Sequence, residues 1–340
     1  MSNPSIAVVA FTIPARVFGP YIAGLTVVTV GLVMLLRDNT SKEQGIERFV
    51  RLGPLLFAAP MAVFGGEHLT VANDIAPAIP HWIPAHLFWT YLVGVALISA
   101  ALSIVTKRLS GLAATLLGIM LFCFVLLIHV PRLAASPRDR IAMAVVLRDL
   151  AFSAGAFALA STRASQAWTS LGQKAATVAR YVVGSAALFF GVEHFLHPQF
   201  VPVVPLGLAM PAWIPFHRFW AYSVGAMLLA AGLAMFTNWQ ARRLTTWLGI
   251  IVFAVVLLVY LPILLAHPSD IGVAMNYFAD TLAVGGNFLI LAGSMPKAGF
   301  GLPSRQEFSV SAEQNRSLAS TPSLRSGADE AKPSTIEVTH

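Results

Sequence analysis

HWIPAHLFWTYLVG, residues 81–94, has a near twin in AWIPFHRFWAYSVG, residues 212–225. Nine of the fourteen positions are identical, at an offset of 131. Upstream of each lies a shorter motif: FGGEHLT, residues 64–70, and FGVEHFL, residues 190–196, share Phe-Gly-x-Glu-His at an offset of 126. The stretch between the two motifs is therefore five residues longer in the second copy. Downstream the offset of 131 persists, pairing Pro131 with Pro262, Asp149 with Asp280, and Gly155 with Gly286. The chain is an internal duplication.

Composition identifies the solvent. The 340 residues are 57% hydrophobic and only 11% charged, with a mean hydropathy of +0.74. Soluble domains carry about 25% charged residues, so this chain is built for lipid. The net charge of +7 does not indicate nucleic acid, because Lys and Arg fall in short clusters between apolar runs, as membrane topology requires. The expected partner is the lipid bilayer. Cys123 stands alone within an apolar run, so neither an intrachain disulfide nor a Cys-rich metal framework exists.

About 20 apolar residues span a bilayer, and nine such runs are present. The first covers Val17 to Leu36 and reads as a retained anchor helix. Four follow, near Arg51–Val71, Pro84–Val105, Leu112–Val130 and Ile141–Ala160. After a polar linker, Ser161 to Lys174, come four more, near Val178–Leu196, Pro215–Phe236, Leu244–Leu265 and Ile271–Leu291. The expected fold is an all-α integral membrane protein with two tandem parallel four-helix bundles and an N-terminal anchor helix. Residues 1–47 form the anchor and its linker, 48–162 the first unit, 175–294 the second, and 295–340 a cytoplasmic tail expected to be disordered from its polar composition. An even number of spans per unit makes the repeats parallel rather than inverted. Placing the first linker inside puts 16 basic residues on the cytoplasmic side and 5 outside, so the N-terminus is expected out and the C-terminus in.

Only four carboxylates lie within the expected spans: Glu67, Glu193, Asp149 and Asp280. Each costs about 2.5–3.5 kcal/mol at the bilayer centre on insertion scales. Their presence as two repeat-matched pairs makes them candidate proton-handling groups facing the bundle interior. His68 and His194 follow the glutamates directly; His86, Tyr91, His217 and Tyr222 lie in the WIPxHxFWxY segments. Adjacent helix residues do not share a direction, so within each Glu-His pair one side chain bonds locally while the other reaches inward. The inward glutamate is expected to meet the histidine of the next helix, Glu67 with His86 and Glu193 with His217, near the outer face. Arg148 has no counterpart, since Ala279 replaces it, and is suited to compensate a carboxylate. Three readings compete: a hydrogen-bonded network that fixes helix packing, a proton-handling or quinone-binding site, and a histidine metal or haem site.

A four-helix membrane unit with Glu-His at the end of its first helix resembles the DoxX-like superfamily. The resemblance rests on FGGEHLT, FGVEHFL, the two WIPxHxFWxY segments, and Asp149 and Asp280 in the fourth helices, and covers about Arg48 to Ala292 as two copies. That family includes proteins similar to the membrane subunit of thiosulfate:quinone oxidoreductase. The resemblance implies a quinone-linked redox component of the bacterial inner membrane, with a soluble or membrane redox partner. Glu67, Glu193, Asp149 and Asp280 would then move protons, while His68, His86, Tyr91, His194, His217 and Tyr222 would surround the quinone. The duplication and the extra first helix depart from the single four-helix pattern. No phosphate-binding glycine loop, nucleophile elbow or thiol pair is present. The competing function is a membrane scaffold or small-solute carrier.

Overall fold

The computed structural model describes residues 14–38, 45–163, 169–204 and 207–296. The expected disordered tail lies outside the described residues beyond Pro296. Nine long helices are found among the described residues: α1 (Ala15–Arg37), α2 (Glu47–Thr70), α3 (His86–Thr106), α4 (Ser110–Ala135), α5 (Arg140–Ser161), α6 (Thr169–Leu196), α7 (His217–Thr237), α8 (Ala241–Ala266) and α9 (Asn276–Ser294). Helix is the form that satisfies every backbone polar group within one segment, which hydrocarbon demands. No named strand occurs among the described residues; one isolated bridge joins Phe200 and Ala209.

Eight of these helices, α1 to α8, are long and apolar enough to cross a membrane, which marks an integral membrane protein. Helix α9 is the exception. It carries Asn276, Asp280 and Asn287, which lower its hydropathy. The reason is its position: every residue from Ala279 to Ala292 is buried. A helix surrounded by protein need not be apolar, because its polar side chains find partners. Asn287 Nδ2 donates to the Ala151 carbonyl of α5 at 2.9 Å.

The helices pack in chain order around a ring. Helix α2 packs on α3, α3 on α4, α4 on α5, α5 on α6, α6 on α7, α7 on α8, α8 on α9, and α9 returns to α2. Helices α5 and α9 also meet across the middle, and α1 lies outside against α2 and α3. The fourth helix of each half thus runs along the first helix of the other. The halves interlock as one compact unit. Glycines permit the tightest contacts. A Cβ on Gly286 of α9 would lie 2.4 Å from the Phe57 backbone nitrogen of α2, and one on Gly155 of α5 would collide with Asn287.

Within each half the backbone repeats in detail. Left-handed residues that are not glycine fall at Ala85 and Phe216, Lys107 and Asn238, and Leu109 and Gln240, each pair 131 apart. Such residues carry a backbone cost of about 1–3 kcal/mol, so their retention in both copies marks corners the fold requires. Helices α4 and α8 widen into a π-helical turn at Val125–His129 and Val256–Tyr260, again 131 apart. Pro131 and Pro262 follow these turns; a proline lacks the N–H that would continue the α-helical ladder and crowds the carbonyl four residues back. Asp139 and Asp270 each accept from backbone N–H groups at the start of the following helix, matched N-caps.

Ion pairs tie helix ends together on one side. Asp38 pairs with Lys107 and, at 3.8 Å, with Arg51. Arg242 binds Glu47 and donates to the Ala292 and Met295 carbonyls at 2.6 and 2.7 Å. A guanidinium there satisfies the carbonyls left open at the end of α9.

Candidate functional site

The Phe-Gly-x-Glu-His motif builds the site from the last turns of α2 and α6. Its glycine brings the next helix close: Gly65 faces the Gly94 carbonyl of α3, and Gly191 faces the Gly225 carbonyl of α7. Its histidine turns back on its own helix. His68 Nδ1 lies 2.8 Å from the Phe64 carbonyl, and His194 Nδ1 lies 2.6 Å from the Phe190 carbonyl. A carbonyl only accepts, so Nδ1 carries the proton in both. The glutamate is left to point inward, and both glutamates are buried.

In the first half the glutamate opens on a cavity of about 510 Å³. Glu67 is only 6% exposed, and its Oε1 has no hydrogen-bond partner among the described residues. The apolar wall includes Phe64, Trp89, Phe124 and Phe152. The polar floor is a chain of close contacts between ionisable side chains. His129 Nε2 lies 2.8 Å from Asp149 Oδ2, Arg148 Nε lies 2.7 Å from Asp149 Oδ1, and Arg148 Nη1 lies 2.5 Å from Asp280 Oδ2. Three carboxyl groups, Glu67, Asp149 and Asp280, share this cavity with one guanidinium. Uncompensated buried charge costs several kcal/mol per ion, about 3–5 where a partner is missing.

The second half is filled. The connection between α6 and α7, the one five residues longer, folds inward so that Val201, Val203 and Val204 are fully buried. The Val203 N–H donates to His194 Nε2 at 2.8 Å, and Tyr260 donates to the Pro202 carbonyl at 2.6 Å. Val203 has φ 88°, a region costly for a β-branched residue; these bonds and the surrounding packing hold it there. Glu193 is compensated by Arg140 Nη1 at 3.0 Å, with the guanidinium 5.0 Å from the centre of the Phe200 ring. The residue 131 beyond Arg140 is Ile271, so the repeat supplies no equivalent cation for Glu67.

Of the residues singled out from sequence, Glu67, His68, Asp149 and Asp280 meet in the first cavity, while Glu193 and His194 are engaged in the filled half. Four others do not join them. His86 opens α3 and does not line the cavity. The wall begins one turn further along, at Trp89 and Thr90, about 6 Å deeper. No hydrogen bond joins Glu67 to His86 or Glu193 to His217; His217 Nε2 instead lies 3.1 Å from the Pro211 carbonyl. Tyr91 and Tyr222 are exposed on the flanks of their helices, Tyr222 stacked on Phe195 at 5.3 Å. These expected contacts do not form: Glu67 lines the cavity with no hydrogen bond to His86, and Glu193 bonds Arg140 of α5 instead.

His129 and Arg140 are not among the expected site residues. Each is polar beside an apolar run, but their partners lie 20 and 53 residues away and no spacing announces them. Arg148 compensates two carboxylates rather than one. Among the described residues, no three His, Cys, Asp or Glu side chains converge as metal ligands. No known family matches the chain, and neither a curated protein nor a solved structure does.

Proposed function

We propose that this chain is a nine-span protein of the bacterial inner membrane, N-terminus out and C-terminus in, whose first half binds a quinone and exchanges protons with it. The observation that carries the reading is Glu67: a buried carboxyl, one oxygen without a partner among the described residues, lining a cavity that is aromatic on one side and ionisable on the other. A quinone ring is flat, lipophilic and polar at two edges, which suits such walls. Its reduction takes two electrons and two protons. A soluble or membrane redox partner would supply the electrons, and Glu67 with the His129–Asp149–Arg148–Asp280 chain the protons. The excess of basic residues on the expected cytoplasmic side supports an outward-facing site. The likeness to DoxX-like proteins points the same way.

A second reading follows from one specific contact. Arg148 joins α5 to α9 through Asp280, so the ion-pair chain also serves as a clamp between halves, as a scaffold or carrier would require. Organic extraction of the purified full-length protein decides between them. The redox reading expects a stoichiometric quinone; its absence, with no binding on adding a short-chain quinone, leaves the clamp.

A further inference from the structure

The filled second half shows the chemistry that the first half is shaped to receive. His194 and Tyr260 hold the backbone of Pro202 and Val203 between them. Their repeat counterparts are His68 and His129, and both of those line the open cavity. The Pro202–Val203 peptide therefore sits in the space that is cavity in the first half. What His194 Nε2 receives there is a hydrogen-bond donor.

The first half offers the same acceptor. His68 Nδ1 carries its proton toward Phe64, so Nε2 presents a lone pair, and no described residue bonds to it. Glu67 lines the same cavity. The cations of the cavity, by contrast, already face Asp149 and Asp280. His68 Nε2 is thus an acceptor left open to a ligand on this wall.

We propose that the cavity selects the hydroquinone form of its ligand over the quinone form, with a hydroxyl donated to His68 Nε2 as the Val203 N–H is donated to His194. This rests on the quinone reading of the same site and adds which redox state is held. A quinone carbonyl brings only acceptors to this wall, whereas a hydroquinone brings two O–H donors. The second half, occupied by its own chain, takes no ligand, so binding is one per chain.

The test uses full-length protein in lipid nanodiscs, kept anaerobic, titrated by calorimetry with a short-chain hydroquinone, its quinone, and its dimethyl ether. The ether keeps the ring and removes both donors. The hydroquinone should bind at least about tenfold more tightly than either, the size of one hydrogen bond to a buried acceptor, with a stoichiometry of one. In a His68→Phe variant that preference should vanish. Equal affinity for the three probes overturns the donor preference and leaves the quinone reading standing. Failure of all three to bind overturns both. A preference retained in His68→Phe removes His68 as its source, and a stoichiometry of two overturns the self-occupied second half.

Discussion

Arg148 Nη1 lies 2.5 Å from Asp280 Oδ2 while its Nε lies 2.7 Å from Asp149 Oδ1, so one guanidinium ties the fourth helix of the first half to the fourth helix of the second. The duplication brought two aspartates to the middle of the ring, and only one copy has the arginine, where the other has Ala279. Both aspartates are buried, and the Arg148 side chain is only 15% exposed. Removing one partner from a buried ionic group costs about 3–5 kcal/mol.

Arg148→Met should therefore lower the melting temperature in detergent more than any other single change in the cavity. Adding Asp280→Asn should recover part of the loss, because it removes a carboxylate that the first change leaves uncompensated. An Arg148→Met protein that melts like the parent would show that the chain of ion pairs does not hold the halves together.

The two matched glutamates should respond in opposite ways. Glu193 is bonded to Arg140, and Glu193→Gln weakens a charge-assisted bond worth about 2 kcal/mol. Glu67 has no cation on it among the described residues, so Glu67→Gln should leave stability within about 0.5 kcal/mol or raise it. Thermal melting of the two variants side by side measures this. Equal losses would mean that Glu67 is compensated in the membrane after all.

Much of this architecture is legible in the sequence. The apolar runs locate the long helices, and the offsets locate the duplication down to its matched carboxylates. The rule that neighbouring helix residues diverge separates the local histidine from the inward glutamate. Two features are not legible there. The direction in which Glu67 and Glu193 look depends on which helices surround α2 and α6, and α9 packs on α2 and α5 on α6 across the halves. Motifs adjacent in sequence suggest His86 and His217 instead. The longer second connection is visible as five extra residues, but only packing shows that its valines fill the second site.

Helix α9 supplies a test of topology, since its hydropathy alone would not place it across a membrane. Reporter domains fused after Asn73 and after Ser294 are separated by seven helices, α3 to α9. They should report opposite compartments, with the Asn73 fusion outside. A shared compartment would mean that α9 does not cross and that the ring opens on one side.

Contact between α2 and α9 closes the ring, and it depends on the absence of a side chain. A Cβ at Gly286 would stand 2.4 Å from the Phe57 nitrogen and 2.6 Å from the Leu56 carbonyl carbon. Those atoms are helix backbone and cannot rotate away, so Gly286→Ala must push the helices apart. Overpacking of this kind costs about 1–3 kcal/mol or more, despite the gain in helix propensity of about 1 kcal/mol from replacing glycine. Gly272, at the start of the turn before α9, provides the control: a Cβ there comes no closer than 3.9 Å to its neighbours. Gly272→Ala should melt at or above the parent temperature, and Gly286→Ala well below it. If both variants melt alike, α2 and α9 do not pack as closely as Gly286 implies, and the shared wall of the Glu67 cavity would have to be redrawn.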